Sequence, residues 1–120
     1  MSRIDRLVSI HPYFKVHPGK MDVVKGLLRE FVACVAPDKN TIYYEFTISG
    51  DLVFCREAYV NAEALLAHVT SVGPALEKML ANADIARVEV HGPAAELEKL
   101  RGPLAQLNPT WFALECGVEH

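Results

Sequence analysis

Two periods of hydrophobicity alternate along the chain. From Leu7 to Val16, the apolar Val8, Ile10, Phe14 and Val16 alternate with Ser9, His11, Tyr13 and Lys15, as in a strand with one buried face. Pro12 has no N–H to give to a ladder, so a bulge or an unpaired position is expected there. His17-Pro18-Gly19 breaks the strand. Met21, Val24, Leu27, Leu28, Phe31, Val32 and Val35 then recur at steps of three and four, which predicts a helix. Pro37-Asp38-Lys39-Asn40 ends it with turn chemistry. Thr41 to Ile48 reads as a strand with Ile42, Tyr44, Phe46 and Ile48 on one face and Tyr43 and Glu45 on the other. Ser49-Gly50-Asp51 makes a tight hairpin, and Leu52 to Tyr59 is the returning strand. Ala62, Leu65, Leu66 and Val69 begin a second apolar stripe, with Asn61 placed to cap it. Ser71-Val72-Gly73-Pro74 interrupts this helix, and Pro74 opens its continuation through Leu76, Met79 and Leu80. After the turn Asn82-Ala83-Asp84, Ile85 to His91 forms a fourth strand.

The order strand, helix, strand, strand, helix, strand is that of a ferredoxin-like split βαβ fold of the α+β class. Its sheet is expected to be antiparallel, with both helices on one face. The other face then needs cover, and two such sheets facing each other across a dimer supply it. Beyond Gly92-Pro93, Ala94 to Leu100 predicts a short helix and Trp111 to Val118 a fifth strand. That strand needs a partner edge, in its own chain or in another subunit. Residues 1–120 form one domain, with a core of about 7–92 and a C-terminal helix and strand extension over 93–120.

Composition narrows the possible partners. Of 120 residues, 51% are hydrophobic, enough for a core without crosslinks. The net charge of −3 is spread without a basic stripe, which argues against nucleic acid. An RNA-binding sheet in particular would set aromatics among basic residues, and no such run exists. No apolar run reaches membrane-spanning length. The N-terminal Met1-Ser2-Arg3-Ile4-Asp5-Arg6 lacks the apolar core of a signal peptide, so a cytoplasmic location is expected. Cys34, on a predicted helix, and Cys55 and Cys116, in predicted strands, share no C-x-x-C spacing and read as reduced thiols.

Candidate chemistry gathers in Arg56 to His68. Glu57 and Tyr59 lie two apart and share a strand face, while His68 lies on the helix that folds back over it. An acid, a phenol and an imidazole thus reach one neighbourhood. A histidine titrates near neutral pH and can give or take a proton. The same residues also read as a helix-edge histidine, a packed tyrosine and a solvated or paired glutamate. Tyr13, Tyr43, Tyr44 and Trp111 can line a pocket for a flat ligand, or can be ordinary core and interface aromatics. The five histidines include no H-E-x-x-H, so no metal site is expected. No G-x-G-x-x-G run signals a nucleotide or flavin.

Three segments carry a family resemblance: Val16-His17-Pro18-Gly19-Lys20, Tyr43-Tyr44-Glu45, and Glu57 through His68 in the pattern E-x-[aromatic]-x-x-x-x-A-x-x-x-H. Over about Leu7 to Gly92 the chain resembles the antibiotic-biosynthesis monooxygenase domain family of dimeric α+β barrels. The resemblance implies a homodimer and a pocket between sheet and helices in each subunit. It also implies oxidation of a quinol or hydroxyaromatic molecule by O2 with no cofactor. It assigns His68, Tyr59 and Glu57 to catalysis, and Tyr13, His11, Tyr43, Tyr44, Asn61 and Trp111 to ligand binding. Haem-degrading relatives carry a first-strand asparagine and a tryptophan near Tyr59; here stand His11, Tyr13 and Tyr59 itself, so haem is not the expected ligand. The alternative is a non-catalytic ligand-binding or stress-associated dimer of the same fold.

Overall fold

The computed structural model describes residues 3–120; Met1 and Ser2, at the head of the stretch read for a signal peptide, lie outside them. Strands β1 (Val8–Val16), β2 (Thr41–Ser49), β3 (Leu52–Tyr59), β4 (Ala83–Gly92) and β5 (Thr110–Ala113) alternate with helices α1 (Met21–Val35), α2 (Ala62–Ser71), α3 (Gly73–Leu80) and α4 (Ala94–Arg101). They form one five-stranded sheet in the order β2-β3-β1-β4-β5. The first four strands pair antiparallel in the ferredoxin-like arrangement. The four-strand core is antiparallel as expected, and β5 finds its partner edge within its own chain, adding to β4 in parallel. The link through α4 and a 3-10 turn, Ala105–Leu107, brings the chain back to run in the same direction as β4.

Sequence chemistry explains the local features. Pro12 interrupts the β1–β3 ladder, which skips from Ile10↔Glu57 to Tyr13↔Phe54. A bulge then shifts the β1–β4 register between Tyr13 and Phe14. Ser49 pairs directly with Leu52, leaving a two-residue turn in which Gly50 takes a φ of 61°. A glycine at the first turn position meets the positive φ that a type II′ hairpin requires. The fourth strand begins at Ala83 rather than after Asp84, and the fifth stops at Ala113, so Cys116 lies beyond it. All three cysteines are free.

The helices cover one face of the sheet. α1 buries Val24, Leu27, Leu28, Phe31 and Val35, while Val32, at the rim of the predicted stripe, is exposed. With α3 these residues pack on Phe14, Val16 and Val53. α2 and α4 pack on Val8, Ile10, Val88 and Val90 through Leu65, Leu97 and Leu100. Among the described residues no helix covers the opposite face. It carries His11 stacked near Phe54, Tyr13 tilted against Phe54, and His91 stacked on Phe112 at 4.4 Å. Among the described residues, no helix is long and apolar enough to cross a membrane.

Candidate active site

β3 delivers Glu57 and Tyr59 to the helix-covered face through the two-residue period, and both are buried. Asn61 then caps α2, its side-chain oxygen accepting the Ala64 N–H at 2.9 Å. His68 falls one turn beyond the buried Leu65, so it points inward with the apolar stripe and is only 5% exposed. Tyr59 donates its hydroxyl to Glu57 Oε1 at 2.5 Å, and His68 Nε2 lies 3.1 Å from the same oxygen. The His68 ring is tilted against Tyr59 at 5.0 Å and meets Tyr44 edge-on at 5.2 Å.

Glu57 and His68 of this cluster line a half-enclosed cavity of about 70 Å3 between the sheet and the α2–α3 roof. Its polar wall consists of Tyr44, Cys55, Glu57 and His68; Ile10, Phe14, Val69, Val72 and Leu76 are among its apolar walls. Burial, reinforced by the negative charge of Glu57, pushes the phenols of Tyr59 and Tyr44 well above the usual tyrosine range. The same two causes push up the thiol of Cys55. The phenols are therefore held protonated, as donors, beside a buried carboxylate. The three residues assigned to catalysis are together, and Tyr44 joins them. Cys55 was missed, although it shares the parity of Glu57 and Tyr59 on β3 and could have been placed by that period.

The remaining candidate ligand residues lie elsewhere. His11, Tyr13 and Tyr43 belong to the opposite side of the sheet and do not line the cavity. Tyr13 donates to Glu89 at 3.4 Å, and the Arg56 guanidinium lies 6.0 Å from the centre of the Tyr43 ring. Asn61 is engaged in its cap. Trp111 packs by the α2–α4 core with the Arg101 guanidinium 4.9 Å from its ring centre. Two anchors went unread in the sequence. Buried Glu96 of α4 accepts the first-turn Ala62 N–H of α2 at 2.9 Å, and Lys99 bonds the same carboxylate. Nothing in local periodicity signals a contact between residues 34 apart. Among the described residues no cluster of histidine, cysteine and acidic side chains is arranged to hold a metal ion.

No family model and no curated protein matches the chain. Solved structures do. MupZ from Pseudomonas fluorescens is 34% identical, with a TM-score of 0.92 over 96% of this chain and 95% of its own. A protein from Caulobacter crescentus provisionally named an antibiotic biosynthesis monooxygenase matches at 19% identity and a TM-score of 0.64, over 72% of this chain and 89% of its own. Another of that provisional name, from Chloroflexus aurantiacus, matches at 15% identity and 0.62, over 73% and 93%. The last two share the fold over about the length of the 7–92 core; the similarity to MupZ extends through the tail.

Proposed function

Because this chain belongs with MupZ to the antibiotic-biosynthesis-monooxygenase-like fold family, we propose that it is an acid–base enzyme acting on a small hydroxyaromatic or quinol-like molecule with O2 as co-substrate. The observation that carries this is the buried Glu57 carboxylate, held by Tyr59 and His68 against an otherwise apolar cavity. His68 takes the phenolic proton, and Glu57 orients the imidazole and balances its charge. Tyr44 donates to the developing oxyanion. The deprotonated ring passes one electron to O2. Substrate radical and superoxide combine at a ring carbon that carries hydrogen, and His68 returns its proton to the peroxide. The resulting hydroperoxide loses water, made from that hydrogen and its outer O–H, to leave a carbonyl. One oxygen atom enters the product and the other leaves as water, so this route calls on no metal or flavin.

The cavity is far smaller than the roughly 300 Å3 at which ligand pockets begin, so substrate entry requires the roof to move. The break between α2 and α3 at Val72, itself a lining residue, is the natural place for it. The working form is a homodimer with the open sheet faces apposed. His11 Nδ1, the one buried polar side-chain atom without a partner among the described residues, lies on that open face and fits an interface.

Oxygen uptake by metal-stripped protein with hydroquinones and hydroxynaphthalenes, less the boiled-protein rate, tests the activity. His68→Ala and Glu57→Gln should each lower turnover by roughly 10²–10⁴-fold. Product formed equally under argon would keep the acid–base pair and remove oxygen from the reaction. Binding without turnover would favour a non-catalytic ligand-binding protein. That alternative draws on the same geometry, since Glu57 already has partners within the chain, as a structural network would. A monomeric mass by light scattering at low micromolar concentration would remove the dimer.

A further inference from the structure

The cavity has a direction. Its polar residues come from β2, β3 and α2: Tyr44, Cys55, Glu57 and His68. Moving across the sheet through β1 to β4, the walls become wholly apolar, with Ile85 and Val88. β3 and β4 are two strand spacings apart, about 10 Å. Among the described residues no lysine or arginine lines the cavity, so none of them would pair a phosphate or carboxylate on a ligand. The occupant this suits is uncharged, with one oxygen-bearing end at β3 and an apolar body pointing toward β4.

Leu107 stands apart among the lining residues, because it alone comes from the C-terminal extension. It sits on the 3-10 turn Ala105–Leu107. The extension is fastened on both sides of this turn. Before it, Leu97 and Leu100 of α4 are fully buried and Glu96 bonds α2. After it, β5 is laddered to β4, with Val90 opposite Trp111. Within the turn, Leu107 N–H bonds Leu104 O and Asn108 N–H bonds Ala105 O, both at 3.0 Å. Asn108 leaves the turn in the left-handed region, with φ 48°. A half-buried side chain on a doubly anchored turn makes a fixed wall, in contrast to the broken α2–α3 roof.

We propose that Leu107 is a specificity-determining residue: it closes the apolar end of the cavity and sets the length of uncharged molecule that fits with its oxygen at His68 and Glu57. This rests on the cavity being the ligand site.

The test is calorimetric titration of wild type, Leu107→Ala and Leu107→Phe with a series of 4-n-alkylphenols from phenol to 4-hexylphenol. In wild type, affinity should rise roughly fourfold per methylene, from about 0.8 kcal/mol for each buried CH₂, until the chain meets Leu107. Beyond that length it should level or fall. Leu107→Ala should move the break to longer chains and Leu107→Phe to shorter ones. A break at the same length in all three proteins would overturn the role of Leu107 while leaving the cavity as the site. No saturable binding at any length in wild type would overturn the cavity assignment and this proposal together. Thermal melts check folding; if Leu107→Ala unfolds, Leu107→Met against Leu107→Phe makes the same comparison.

Discussion

Tyr59→Phe isolates one atom of the buried network. The ring stays in a site with no solvent exposure, and only the hydroxyl that donates to Glu57 at 2.5 Å is removed. A hydrogen bond to a charged group contributes about 1.5–3 kcal/mol net, and its loss leaves a buried carboxylate short of a donor. His68 still lies beside that carboxylate, so the lower half of the range applies, about 2 kcal/mol. With urea m-values of about 1–3 kcal/mol/M for small domains, the unfolding midpoint should fall by roughly 1 M at unchanged m. A double-mutant cycle with Glu57→Gln then asks whether the loss belongs to this pair. Gln retains an acceptor without the charge, so the double variant should be less destabilised than the two single changes added together, by about 1 kcal/mol. If Tyr59→Phe is neutral, or the two changes add to within about 0.3 kcal/mol, the hydroxyl does not hold Glu57 and the acid–base site is wrongly built.

The raised phenols fix a pH dependence. In the unfolded chain Tyr44 and Tyr59 lose protons from pH 10.0 upward, while the folded protein keeps them, so stability should fall as pH rises above that value. Each tyrosine's slope approaches about 1.4 kcal/mol per pH unit only above pH 10.0, so between pH 9 and pH 11 Tyr44→Phe should lose about 1.4 kcal/mol less stability in total than wild type, as read by urea unfolding. Glu96→Ala should cost about 1 kcal/mol as a lost helix cap and speed hydrogen exchange at the Ala62 N–H; unchanged exchange there would refute the link. Burial alone would raise the Glu96 carboxyl, but the Ala62 N–H and Lys99 outweigh it and hold the group below its ordinary range. Its stabilisation is present above pH 4.5 and is lost as pH falls below, a loss that Glu96→Ala should not show. Gly92→Ala should destabilise by roughly 1–3 kcal/mol, because the new Cβ would stand 2.8 Å from Val8 Cγ1 in a fully packed site; a neutral melt would show that β1 can yield there.

The stretch from Glu57 to His68 was legible because its geometry is local. A two-residue period fixes Glu57 and Tyr59 to one face, a cap at Asn61 fixes where α2 starts, and a helical step from Leu65 turns His68 inward. The aromatic set was misgrouped for a reason the same rule contains. Tyr43 and Tyr44 are neighbours on one strand and must face opposite sides of the sheet, so they could not share a pocket. His11 and Tyr13 likewise alternate with the buried Ile10 and Phe14. What the sequence could not show is long-range: the Glu96 cap on α2, the parallel docking of β5, and Leu107 arriving at the cavity from a tail whose periodicity is weak.

The sheet therefore separates two aromatic surfaces, and under the proposed function they have different tasks. On the helix side, Tyr44, Tyr59 and His68 surround one carboxylate, and Cys55 completes the polar wall of the cavity. On the open side, His11, Tyr13, Phe54, His91 and Phe112 form an aromatic surface with no carboxylate at the same depth; its acid, Glu89, is already engaged by Arg87, His91 and Tyr13. A group that must move protons needs a buried, shielded environment, which a single helix layer supplies. A group that must associate needs flat, apolar and accessible area. Because adjacent residues on a strand face opposite sides, β1, β2 and β3 serve both surfaces at once. Under that proposal, substitutions on the open side alter dimer assembly through contacts of their own, and they reach the cavity only if they also move the strand backbone that both faces share.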